Sequence, residues 1–220
     1  MKHQHKSISL LYIICLLFVI SIEAQTKDPE AKTLLREVNT KIESYKNITV
    51  NFRYILENES ENIRQETTGK IILEDDKYVL DILGIKRIFD GETLHTISTE
   101  DEEVTISANN DDEESTISPS SLFNFYEEGY NYKMDIIQKK FGRSIQYIKF
   151  SPIDYDSEIK YALLGVDLKT KHIYNLIEIG KNDTKTTLTV DTFEPNSLLS
   201  PTFFKFDTSE YKGYYINNLD

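Results

Sequence analysis

The sequence predicts a mainly β chain of the α+β kind, built on one antiparallel sheet that curls around helices. Three observations predict it. Apolar residues alternate with polar ones in run after run, which is the period of a strand with one buried face. The runs succeed one another across short turn-forming stretches, which suits antiparallel pairing. An amphipathic segment precedes them, and its single apolar stripe needs a sheet to lie against.

The first residues read as an export signal. Lys2 and Lys6 precede an almost unbroken apolar run from Ile8 to Ile22, and Ile22-Glu23-Ala24 offers a cleavage site before Gln25. The run is short of the roughly 20 apolar residues that a spanning helix needs. Cys15 follows Ile13-Ile14, where a lipidated cysteine wants a small residue before it, so no lipid anchor is expected. The expectation is a cleaved signal over 1–24 and one domain over 25–220. Cleavage would remove the only cysteine, leaving a fold held by packing alone. The formal net charge is −12, and the lysines lie scattered between acids. Without a local basic patch, such a chain disfavours nucleic acid and anionic bilayers; its acidity serves solubility.

Asp28-Pro29 opens a helix with a capping side chain and a proline at its first position. Leu34, Leu35, Val38, Ile42 and Tyr45 then share one face. Strand grammar begins at Ile48 to Leu56 and continues in Gly69 to Leu73, Tyr78 to Leu83, Ile85 to Phe89, Thr93 to Thr99 and Val104 to Ser107. Asp90-Gly91 is a strong hairpin signal, with positive φ expected at both residues. The acidic run from Ala108 to Ser115 has oxygen donors but lacks the spacing of a calcium loop, and reads as solvated chain. Ser118-Pro119 starts a second, short helix carrying Leu122, Phe123 and Tyr126. Strands resume over Tyr130 to Lys139, Ile145 to Phe150, Ile159 to Leu168, His172 to Ile179 and Thr184 to Phe193. Phe203 to Phe206 is expected as a last aromatic strand. The count is about ten or eleven strands.

The chemical inventory is thin. Only His95 and His172 lie beyond the signal, without a partner at metal-site spacing and without a G-x-S-x-G elbow. There is no phosphate-cradling glycine motif. Carboxylate pairs occur throughout so acidic a chain, so no one pair points to acid–base work. No catalytic residue, metal or cofactor is expected, and the chain does not read as an enzyme.

Apolar surface is what stands out. The inward set is Val50, Phe52, Tyr54, Leu56, Ile71, Leu73, Tyr78, Leu80, Ile82, Val104 and Ile106. Pattern alone fits two readings: a filled core beneath the N-terminal helix, or a cavity between sheet and helices. A cavity would gain about 0.8 kcal/mol for each buried CH₂ of an acyl chain.

Several segments in order resemble the periplasmic outer-membrane lipoprotein carrier (LolA) family. They are the helix Ala31 to Tyr45 leading into Ile48-Thr49-Val50-Asn51-Phe52, then Gly69-Lys70-Ile71-Ile72-Leu73 and Asp90-Gly91-Glu92-Thr93-Leu94. Ser118-Pro119-Ser120-Ser121-Leu122-Phe123, Val166-Asp167-Leu168 with Ile173-Tyr174, Asn196-Ser197-Leu198 and Phe204-Lys205-Phe206-Asp207 follow. The resemblance implies an unclosed β-barrel around lid or plug helices. It implies a periplasmic, monomeric carrier in a Gram-negative envelope, taking acylated lipoproteins from an inner-membrane ABC-type exporter to an outer-membrane acceptor. Val50, Phe52, Tyr54, Leu56, Ile71, Leu73, Leu80 and Ile82, with Leu122, Phe123 and Tyr126 of the lid, would hold the acyl chains. An envelope sensor or scaffold, or a carrier of another lipid, is the alternative use of such a fold. Two departures stand out. The family's lid-latching arginine is replaced by Glu74-Asp75-Asp76-Lys77, with Lys77 as a candidate substitute. His95 stands where an aromatic residue is expected.

Overall fold

The computed structural model describes residues 27–108 and 129–219. The expected signal and the second helix with Leu122, Phe123 and Tyr126 lie outside the described residues. Helix α1 (Pro29–Glu43) starts where its cap predicts: Asp28 Oδ1 accepts from the backbone N–H groups of Glu30, at 2.8 Å, and Ala31. The other carboxylate oxygen of Asp28 accepts from the Met134 N–H at 3.0 Å. One side chain therefore both caps the helix and ties it to the sheet.

All twelve described strands join one sheet. They are β1 (Ile48–Asn58), β2 (Ile63–Glu74), β3 (Lys77–Ile82), β4 (Ile85–Phe89), β5 (Thr93–Ser98), β6 (Glu103–Ala108), β7 (Tyr130–Lys140), β8 (Arg143–Pro152), β9 (Ile159–Asp167), β10 (Ile173–Gly180), β11 (Lys185–Pro195) and β12 (Tyr215–Leu219). Their spatial order is β12-β6-β5-β4-β3-β2-β1-β11-β10-β9-β8-β7. Two meanders are thus zipped together where β1 pairs with β11. The ends, β12 and β7, are not paired with each other, so the barrel is unclosed as expected.

The pairing is antiparallel except for β12, which runs parallel to β6. This strand corrects the expectation at the C-terminus. Phe203 to Phe206 form turns rather than a strand, and a 3₁₀ turn (Thr208–Tyr211) separates them from β12. Phe204 and Phe206 pack on the sheet's outer face, over Ile72, Val79, Ile88, Ile97 and Val104. Aromatic density signals burial here, and burial came from lying across strands rather than joining them. The same cluster corrects two inward assignments. In register, Val104 pairs with Ile97 and Ile106 with His95, and these share the outer face. His95 stacks on Phe206, ring centroids 4.4 Å apart.

Turn chemistry differs from expectation at Asp90-Gly91. Gly91 has φ +102°, but Asp90 is not in the left-handed region; its carboxylate instead accepts from the Glu92 and Thr93 N–H groups. Two-residue turns with positive φ at both positions occur at Leu83-Gly84 and Phe141-Gly142. Leu83 is therefore a turn residue and not the end of a strand.

The inner face carries the helix. Leu34, Leu35 and Val38 bury themselves against Tyr132, Ile148, Phe150, Leu164 and Val166 of β7 to β9. Asp28→Ala should lower stability by about 1–2 kcal/mol, a loss of roughly 3–8 °C in Tm. Hydrogen bonding, first to Met134 N–H, holds the Asp28 carboxyl below its ordinary range. Its stabilising contribution is present above that ordinary range and lost as pH falls through the lowered folded value. Asp28→Asn keeps an acceptor, so thermal melts against pH should show the wild-type advantage over this variant vanishing in acid.

Candidate functional site

Helix α1 covers only part of the inner face. Beyond its last turn lies a cavity of about 250 Å³, walled by Ile42 of the helix and by β1, β2, β3, β9, β10 and β11. Six adjacent strands laid flat would span roughly 24 Å. That Leu80 on β3 and Leu164 on β9 line one cavity of this size shows how strongly the sheet curls. Every lining side chain is hydrophobic or aromatic.

Seven predicted residues are brought together there: Val50, Phe52, Tyr54, Ile71, Leu73, Leu80 and Ile82. Leu56 is not in the lining; it pairs with Thr186 farther along β1, beyond the apolar wall. Leu122, Phe123 and Tyr126 fall outside the described residues. Sequence reasoning did not include Ile42, Leu164, Ile173, Leu176, Leu188, Val190 or Phe193. Leu188 and Val190 were legible from the alternation along β11. Phe193 was not, because a β-bulge breaks that alternation: Phe52 pairs with Val190 and Asn51 with Thr192, leaving Asp191 as the extra residue. The bulge moves Phe193 onto the face that Thr192 would have taken.

Two close approaches shape the wall. The Phe52 ring lies over Gly69, where an added Cβ would come within 2.4 Å of its Cζ; a glycine is required for that ring to lie flat. At the helix end, Phe193 stacks on His172 with centroids 4.0 Å apart, and the Tyr45 hydroxyl is 2.8 Å from His172 Nε2. Burial, followed by the nearby Lys41 charge, pushes the His172 pKa down. Neither His172 nor His95 lines the cavity. Among the described residues, no three His, Cys, Asp or Glu side chains group so as to hold a metal ion.

The inner face is not apolar throughout. One register row runs Phe193, Val50, Ile71, Leu80, then Arg87, Thr96 and Thr105. Arg87 is half-buried beside the last cavity residue of that row, near Tyr78. Lys77, considered as a substitute for the missing latch, shares its face with Val79 and so lies outside. At another margin, Glu178 follows Leu176 on the inner face, and burial pushes its carboxyl pKa up.

Neither a family model nor a curated protein matches the chain. Among solved structures, it is similar to an uncharacterized conserved protein from Thermus thermophilus. The identity is 8%, the TM-score 0.60, and the match covers 86% of this chain and 99% of that one. It is also similar to the lipoprotein LppX of Mycobacterium tuberculosis, at 14% identity, TM-score 0.47, and 79% and 99% coverage. A LolA superfamily protein from Nitrosomonas europaea matches at 10% identity, TM-score 0.43, and 80% and 97% coverage. Identities this low speak to fold alone.

A carboxylate whose folded pKa is raised costs stability once pH rises past its ordinary value, and the full cost is felt above the folded value. Glu178→Gln should therefore raise Tm at neutral pH, and melts should show that gain disappearing as pH falls below about 4.5, the ordinary glutamate value. With an open, curled sheet holding a helix in its hollow, the chain shares its fold with the Thermus thermophilus structure.

Proposed function

We propose that the cavity binds hydrocarbon and that the protein is a non-enzymatic carrier of acylated cargo, in the manner of a lipoprotein carrier of the bacterial periplasm. The observation that supports this most directly is the lining itself. Protein interiors are normally packed to crystal-like density, yet here, among the described residues, apolar walls border about 250 Å³ of partly open space. An apolar cavity of about 150 Å³ already stays dry and takes up benzene. The larger space suits a stretch of acyl chain. Burying about six methylenes would contribute roughly 5 kcal/mol, enough for reversible capture without any reactive group. Among the described residues, the lining holds no nucleophile, acid or base beyond the Tyr54 phenol, which suits binding rather than turnover.

Shuttling between an inner-membrane ABC-type exporter and an outer-membrane acceptor is the finer form of this proposal, and the family resemblance supports it. On this reading acylated lipoproteins are the cargo and the periplasm is the compartment.

Binding of a fluorescent fatty acyl probe, together with extraction of lipoprotein from washed inner membranes, tests it. Wild-type protein should do both. Leu188 is partly buried at the wall, so Leu188→Trp fills the cavity with little demand on the surrounding core. It should weaken probe binding by at least roughly tenfold, the equivalent of two lost methylenes, while leaving the melting curve nearly unchanged. Phe52→Glu should do the same to binding by placing a charge among hydrocarbon contacts. A wild-type protein that binds no acyl probe and extracts no lipoprotein would end the proposal. Probe binding without extraction would retain the lipid site and remove the lipoprotein cargo.

A further inference from the structure

The β7–β8 hairpin carries a surface that the cavity does not use. Phe141 sits at its tip, 91% exposed, with φ +48°. A bulky side chain is disfavoured in that left-handed conformation, where Asn is the usual occupant beside a glycine. Farther back on β7, Ile136 and Ile137 are 54% and 58% exposed. A bulge interrupts the register between Met134 and Ile137, and the Gln146 side chain holds it by donating to the Asp135 carbonyl at 2.8 Å, so that Ile137 opposes Gln146 while Ile136 lies beside it on the bulge. Strand β7 is a terminal strand of the sheet, so this apolar side has no neighbouring strand among the described residues.

Cations gather at the end of this hairpin, and Asp135, behind Ile136, is its one acid. From Ile136 to Ile153 the chain holds Lys139, Lys140, Arg143 and Lys149 and no acid, in a protein whose net charge is −12. Lys140 and Arg143 face each other across the turn, and Lys139 pairs with Ser144. Exposed Lys169 lies on the adjacent turn, which the Leu168 N–H to Ser144 carbonyl bond fixes beside the hairpin. Behind it, Asp167 is only 3% exposed and accepts from the Lys169 and Thr170 N–H groups. Arg143 rests over the Tyr174 ring at 4.9 Å, which leaves its charge in place. Lys139, Lys140 and Arg143, joined by Lys169 from the adjacent turn, thus form a local basic patch around an apolar tip.

Leu83 supplies an internal contrast. It too tops a two-residue turn with positive φ and is 69% exposed, but its turn is bonded to Thr99, beside Glu100, Asp101 and Glu102. An exposed apolar tip occurs at both places; of the two, the β7–β8 tip is the one ringed by cations.

We propose that the β7–β8 hairpin is a docking surface for an anionic lipid bilayer. Phe141, Ile136 and Ile137 enter the headgroup–acyl boundary, while Lys139, Lys140, Arg143 and Lys169 meet lipid phosphates. Charge complementarity selects this occupant: a basic patch on an acidic protein orients it against a negative surface and holds the remaining acids away. The bulge and the lysines also discourage strand-to-strand pairing at this edge, which argues against a second copy as the occupant. The proposal rests on the hairpin and not on cavity binding.

Flotation of the purified protein with lipid vesicles tests it. Wild-type protein should float with vesicles of phosphatidylcholine plus phosphatidylglycerol, and binding should weaken as salt rises. Phosphatidylcholine alone should leave it unbound. Phe141→Asn suits the turn and should cut the bound fraction several-fold. Replacing Lys139, Lys140 and Arg143 together by Gln should weaken partitioning by roughly a hundredfold. Leu83→Asn should float as wild type, and so should Leu188→Trp, which separates docking from cavity binding. The proposal is overturned if wild type does not float, floats equally with phosphatidylcholine, or is unaffected by the hairpin changes. A dimer on sizing that Phe141→Asn converts to monomer, without flotation, would assign the surface to self-association instead.

Discussion

Helix α1 is too narrow for the wall that it faces, and the rest of the described structure follows from that mismatch. The inner sheet face presents apolar side chains from β3 across to β7, while α1 has one stripe, Leu34, Leu35 and Val38, to set against them. The stripe settles on β7 to β9, where Asp28 anchors the helix to Met134. What remains beyond Ile42 is a greasy surface that the described residues line but do not fill. Curling brings the two margins of that surface together, and the result is a hollow rather than an exposed patch.

Local irregularities refine the hollow. The bulge at Asp191 places Phe193 at the wall, where it meets Tyr45 and His172. Gly69 makes room for the Phe52 ring. Both set the shape of the cavity wall. On the outer face, the segment from Leu199 to Tyr214 covers the apolar side of β2 to β6. Strands β2 and β3 are therefore covered on both sides, and they carry adjacent apolar residues such as Ile71-Ile72-Leu73 and Tyr78-Val79-Leu80 rather than strict alternation.

Two covered faces explain which sequence readings went astray. A period of two assigns faces correctly only while one face is wet. Along β1, with Val50, Phe52 and Tyr54 inward, the period held. At β6, Val104 and Ile106 were assigned inward because nothing in the local pattern distinguishes an inner core from an outer one. The C-terminal aromatics failed similarly: Phe203-Phe204-Lys205-Phe206 has strand composition, but its burial comes from lying across the outer face. The real strand there, Tyr215 to Leu219, pairs with β6 in parallel and is mostly exposed, so its apolar residues carry little pattern.

Capping and alternation act between near neighbours, so the start of the helix, the strand succession and seven residues of the cavity wall were legible in the chain's own order. Three features were not: the meeting of β1 with β11, the bulge that adds Phe193, and the approach of the Lys169 turn to the hairpin that carries Phe141. Each of these depends on residues far apart in the chain, and their approach is set by how the whole sheet curls.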